Sequence, residues 1–285
     1  MIVIWKGLLF FVVLGVCAPA LMAETLRGMS LNGATGLYTV PSGRTGWEKT
    51  SDLGLDFGYH TIIGKRRSAY YGDDGYGLNH IIKVNASLFK WVELTGTFDI
   101  QPKYADPFPQ NNDMLIGFKV QLPTSETAVA IGGNYQALNL ANDAYDYSAF
   151  QLYVAVTYAG TFFNMPAETT VAIGKTFGIG SRYDQYVSND ATDLDFGMGF
   201  DLILFPKVFK NFVHWIVDYS NFSYSTDAWG SIASHRGTLN TGLRIDFAAI
   251  PALSKYKFIV DVLLADAFDD ERALALGLVF GLPVL

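Results

Sequence analysis

The sequence predicts an all-β chain, a transmembrane antiparallel β-barrel of about twelve strands. Three observations predict it. From residue 52 to the end, stretches of roughly ten residues alternate apolar with polar or very small side chains. That is the period of a strand, whose successive side chains point to opposite faces. The connections run long, short, long, with few exceptions, as in barrels with loops at one end and tight turns at the other. An export signal precedes them.

That signal occupies residues 1–23. Lys6 precedes an apolar run, Gly7 to Val16, and Ala18, Ala20 and Ala23 supply small residues for cleavage. A basic start, a short apolar core and a small-residue site make a cleaved secretory signal. No internal run reaches the roughly 18 apolar residues of a membrane helix. The only cysteine, Cys17, lies in the signal, so the mature chain carries no thiol.

Residues 24–51 form a lead-in, periplasmic or tucked into the lumen, and residues 52–285 form the barrel. Its strands are expected at 52–62, 79–89, 92–101, 113–122, 127–138, 148–160, 168–178, 194–204, 212–223, 236–248, 256–268 and 272–284. In the first, Leu53, Leu55, Phe57 and Tyr59 oppose Gly54, Asp56, Gly58 and His60. In the third, Val92, Leu94, Phe98 and Ile100 oppose Glu93, Thr95, Thr97 and Asp99. The eighth sets Leu194, Phe196, Met198, Phe200 and Leu202 against Asp195, Gly197, Gly199 and Asp201. The tenth sets Leu239, Leu243, Ile245 and Phe247 against Asn240, Gly242, Arg244 and Asp246. In the last, Leu274, Leu276, Leu278 and Phe280 share a face opposite Ala273, Ala275, Gly277 and Val279. The charges avoid the apolar face, where one would cost about 2–4 kcal/mol at mid-membrane.

With the N-terminus in the periplasm, 63–78, 102–112, 139–147, 179–193 and 224–235 are surface loops. The periplasmic turns are 90–91, 123–126, 161–167, 205–211 and 249–255, of which 161–167 is long for a turn. Tyr59, Tyr135, Phe177 and Tyr219 fall near the outer rim, and Trp91, Tyr158, Phe205 and Phe247 near the inner one. Two such belts suit headgroup layers. The chain ends Phe280-Gly281-Leu282-Pro283-Val284-Leu285, without the terminal aromatic that insertion machinery commonly reads. Phe280 is the candidate for that role. The composition agrees: 50% hydrophobic and 16% charged is apolar for a soluble chain, and the net charge of -7 comes without the basic block that nucleic acid requires.

The best local motif lies in the lead-in, from Gly33 to Arg44. Gly33, Gly36, Leu37, Pro41, Ser42 and Arg44 follow the pattern G-x-x-G-L-x-x-x-P-[ST]-A-R, with Gly43 in place of the alanine. This resembles the opening of the YjbH-like outer-membrane barrels, which are linked to exopolysaccharide secretion. Residues 113–119 and 130–134 are similar to that family's early hairpins. The resemblance implies a barrel and a part in polysaccharide export.

Reactive chemistry is sparse. The histidines are His60, His80, His214 and His235. A phospholipase barrel of similar strand count needs a His and a Ser close along one strand on the lipid side, since a hydroxyl nucleophile needs an adjacent base. His214 is expected inside, near the periplasmic rim, and His235 in a loop. Gly174-Lys175-Thr176 matches only the end of a phosphate loop, with Thr169 where the earlier glycine belongs. Asp73, Asp74, Asp269, Asp270 and Glu271 lack the spacing of a calcium loop. Neither catalysis nor a metal or cofactor is expected.

The expected lumen carries Asp56, Glu93, Asp99, Asp195, Asp201, Asp218, Asp246 and Asp261 against Lys83, Lys119 and Arg244, eight acids to three bases. Charges inside a pore set ion selectivity, and many inward glycines and alanines leave room. The expectation is an outer-membrane pore passing ions or small solutes, mildly preferring cations, with the lipid bilayer and the insertion machinery as partners. The alternatives are a non-conducting surface barrel whose loops bind a ligand, and a polysaccharide-export barrel.

Overall fold

The computed structural model describes residues 27–48, 51–67, 74–101, 111–124, 127–138, 147–179, 194–222, 224, 237–268 and 272–285. The expected signal segment, residues 1–23, lies outside them, as do His235, Asp73, Asp269, Asp270 and Glu271. Twelve strands close into one antiparallel barrel, each paired with its sequence neighbours and the last with the first. They are β1 (Leu53–Arg67), β2 (Asp74–Leu88), β3 (Val92–Gln101), β4 (Asn111–Leu122), β5 (Thr127–Leu138) and β6 (Tyr147–Phe162). Then come β7 (Met165–Ile179), β8 (Asp195–Ile203), β9 (Val213–Ser220), β10 (Thr238–Asp246), β11 (Lys257–Ala265) and β12 (Ala273–Pro283). A single helical turn, α1 (Pro206–Phe209), joins β8 to β9.

All twelve expected strands are present, and two connections are shorter than expected by several residues. β1 and β2 pair as far as Arg67 opposite Asp74. A two-stranded ribbon beyond the barrel needs no apolar face, so polar residues there still pair through their backbones. The expected turn at 161–167 shrinks to Phe163 and Asn164, both with positive φ. Pro166 pairs opposite Thr161 at the start of β7, a position where a proline is tolerated.

The face assignments follow the period. On β12, Leu274, Leu276, Leu278 and Phe280 are exposed while Ala273, Ala275, Gly277 and Val279 are buried. β1 and β3 behave likewise. On β8, Leu202 departs: it is buried, between Ala167 and Trp215 on the flanking strands. The exposed outer surface is built of Phe57, Ile82, Leu94, Ile116, Leu152, Ile173 and their neighbours. Tyr59, Tyr135 and Phe177 stand exposed toward the loop end, and Trp91 and Phe205 at the turn end.

Candidate functional site

The barrel interior is occupied by the lead-in. Residues 27–48 fold into two reversals, with bridges between Met29 and Thr35 and between Gly36 and Pro41. The motif residues explain this course. Gly33 sits at φ +84 with its Cα against β3, where a Cβ would meet Thr97 Oγ1 at 3.0 Å. At Gly36 a Cβ would lie 2.4 Å from the Val40 carbonyl and 2.8 Å from Pro41 Cα. Leu37 is buried, the Ser42 hydroxyl meets Thr157 Oγ1 at 2.9 Å, and Arg44 binds Glu48 at 2.9 Å. The sequence pattern is thus the shape of an internal plug.

The wall grips this plug with charges. Glu93 and Lys119 pair at 2.8 Å, both fully buried. Around them, Thr35 donates its hydroxyl and amide to Glu93 (2.5 and 3.1 Å), Gly46 N–H donates to Glu93 (2.8 Å), and Lys119 Nζ donates to the Arg44 carbonyl (2.7 Å). Across the lumen, Arg244 forks onto Asp261 at 2.8 and 3.1 Å and reaches the Gly36 carbonyl at 3.2 Å. Lys83 donates to the carbonyls of Met29 and Ser30 at 2.8 and 3.2 Å. Asp56 accepts from the Trp47 indole and from Lys257, each at 2.9 Å. Buried charges persist only when paired and hydrogen-bonded; here the plug backbone supplies the missing bonds.

The plug tip is held from one strand and its exit. Thr39 donates its N–H to Asp218 (2.6 Å), accepts from Ser220 on its hydroxyl (3.0 Å), and accepts from the Tyr224 hydroxyl on its carbonyl (3.0 Å). Leu31, Leu37, Tyr38 and Val40 pack there with Phe222, Tyr224, Ile62 and Tyr153. The inward glycines leave less room than expected, because the plug uses the space: Trp47 lies over Gly54, Met29 over Gly58 and Leu37 over Gly199.

At the turn end, both ends of the plug meet in one cluster. Arg27 forks onto Glu168 at 2.6 and 2.9 Å and lies 3.6 Å from Glu48; Arg44 also reaches Glu168 at 3.4 Å. Burial pushes the Glu48 carboxyl up, but Arg27 and Arg44 outweigh it and hold the group below its ordinary value. A depressed carboxyl stabilises the seated plug fully above the free glutamate value, about 4.3. That hold is lost as pH falls through the folded value. The lead-in is expected to become protease-sensitive as the buffer is taken from pH 7 to below about 4, with the dependence flattened in Glu48→Gln. An equally steep response in that variant would exclude Glu48 as the group responsible.

The expected lumen acids therefore do not line an open bore. Asp56, Glu93, Asp218 and Asp261 hold plug or base, and Asp201 meets His214 Nδ1 at 2.6 Å. Asp195 accepts from Thr176 and Gln151, and Asp246 caps the turn after β10 through Ala248 N–H. Asp99 is buried opposite Asp113. Sequence reasoning missed Lys257, Glu168 and Asp113, although each shares the strand parity of an inward neighbour. His60 lies inside against the Tyr38 ring at 5.7 Å; His80 faces outward, 2.6 Å from the Tyr59 hydroxyl. Gly174-Lys175-Thr176 lies within β7, which continues as strand to Ile179.

Similar solved structures are outer-membrane barrels. A TodX mutant, a monoaromatic hydrocarbon channel, matches with a TM-score of 0.46 and 8% identity over 92% of this chain and 97% of that one. The Acinetobacter baumannii outer membrane protein Omp33 matches with a TM-score of 0.39 and 8% identity, over 82% and 98%. Escherichia coli outer membrane phospholipase A matches with 0.41 and 9%, over 81% and 97%. No protein-family model matches the chain and no curated protein does, so the resemblance of the lead-in to the YjbH-like barrels gains no support.

Proposed function

We propose that the chain spans a bacterial outer membrane and passes ions or small solutes through its lumen when the lead-in leaves it. The exposed apolar wall and its aromatic ends support the membrane assignment. The carrying observation is the polar wall beneath the plug. Asn85, Asn134, Gln136, Gln151, Thr157, Thr170 and Thr176 all point inward, beside the charges already described. A polar interior belongs to water-filled and to plugged outer-membrane barrels alike; here it would let water take the plug's place without wetting an apolar wall. With Asp113, Glu168 and Lys257 added, the described wall holds ten acids against four bases, a balance of -6. That balance supports a mild cation preference in the open barrel.

Single-channel recording on the intact mature chain and on a chain lacking residues 24–48 tests this. The intact barrel should be closed or open briefly, and the shortened one should conduct in steady steps with a cation-biased reversal potential. Neutralising Asp195, Asp201 and Asp246 together in the shortened chain should move that potential toward zero; an unchanged value would remove the selectivity claim. A correctly inserted but silent shortened barrel would favour a closed surface protein, the reading that the plug's many contacts support second. Polysaccharide export rests on the lead-in motif alone.

A further inference from the structure

Three phenylalanines at the turn end adopt the left-handed backbone region: Phe89 (φ 52), Phe163 (φ 49) and Phe205 (φ 43). Such sites favour Gly or Asn, since a Cβ there crowds the following carbonyl. Strained residues of this kind cluster at functional sites. Yet these side chains touch little of the protein, being 72%, 79% and 57% exposed. Val208, at 72%, projects with Phe209 from α1, and Trp91 and Tyr256 complete an aromatic rim.

The rim is also basic. The connections 89–91, 163–164, 204–212 and 247–256 carry Lys90, Lys207, Lys210 and Lys255 and no acid, while 123–126 adds Glu126, a net of +3. Among the described residues Lys90 pairs with Asp52, at 3.4 Å and solvent-exposed, a weak pairing. The opposite connections, 68–73, 102–110, 139–146, 180–194, 221–237 and 266–272, hold twelve acids and four bases, a net of -8. The two ends are sorted by charge.

We infer that the turn end is a docking surface for the phosphate headgroups of anionic phospholipids. The inference rests on the membrane reading above. The left-handed phenylalanines sink the turn apices among acyl chains, and each neighbouring lysine then sits at phosphate depth, where it gains over a neutral headgroup layer.

The mature protein, reconstituted in vesicles of equal parts phosphatidylcholine and phosphatidylglycerol, is re-extracted and its retained lipid quantified. Phosphatidylglycerol should be enriched several-fold. The enrichment should fall to near one in a K90S/K207S/K210S/K255S variant. Equal retention by the native chain, or undiminished enrichment in the variant, would overturn the inference and point the lysines toward a protein partner. A second measurement is independent of charge. Phe89→Gly and Phe163→Gly relieve backbone crowding, so they should raise the unfolding midpoint if the rings are idle; in vesicles the midpoint should drop instead, and a rise would overturn the inference. Failure of the native chain to insert into either lipid would overturn the membrane reading, whereas insertion without enrichment overturns only the headgroup surface.

Discussion

Replacing Arg244 with Met is expected to destabilise the barrel by about 3–5 kcal/mol, the cost of leaving a buried charge without its partner. Asp261 is 1% exposed and has Arg244 as its bidentate partner, with His60 Nε2 a distant 3.5 Å away. Methionine fills part of the volume but donates nothing. It also abandons the Gly36 carbonyl, so plug and wall loosen together. The readout is the urea midpoint for folding into vesicles. The double replacement R244M/D261L should recover much of the loss, since a buried ion pair exchanged for apolar side chains is often neutral. A single-variant shift below about 1 kcal/mol would mean that water reaches Asp261 and that the interior is far wetter than described.

Gly36→Val should open the barrel without touching its wall. The three atoms nearest the added Cβ are all backbone of the plug's own hairpin, the Val40 carbonyl, Pro41 Cα and Ser42 N, within 2.9 Å. Backbone cannot rotate aside as a side chain can, so the Gly36–Pro41 bridge must break. Thr39, at the hairpin's apex, then loses its place between Asp218, Ser220 and Tyr224. The variant should conduct like the chain lacking residues 24–48, with unchanged strand content. A folded G36V barrel as silent as the native one would show that the hairpin is not what closes the lumen.

The wall was legible in the sequence because a strand writes its orientation every second residue. Leu274 to Phe280 and Asp195 to Asp201 declare their faces with no tertiary information. The sequence leaves the lead-in between periplasm and lumen, and its course as a plug was not legible, for a physical reason. Residues 27–48 have no helix or strand period; their course is fixed by side chains distant in sequence, Glu93 58 residues from Thr35 and Tyr224 185 residues from Thr39. The motif residues marked the segment as special without showing what they face. Inward glycines read as empty space, when at Gly54 and Gly58 they are seats for Trp47 and Met29. Lys257 was missed beside Tyr256 at a turn, although its parity with Asp261 places it inside.

The plug is not a separate molecule. It runs directly into β1 through residues 49–52, so in the proposed opening it would stay tethered to the mouth it vacated. Closing is then a first-order event, with a local concentration on the order of millimolar for so short a leash. Its rate does not depend on how many barrels share the membrane, and no accessory factor is needed to find the plug again. A free peptide of the same sequence, added to a plugless barrel, would have to approach that concentration to match it. Opening by the proposed route would be brief and self-cancelling unless something outside the barrel held the leash taut.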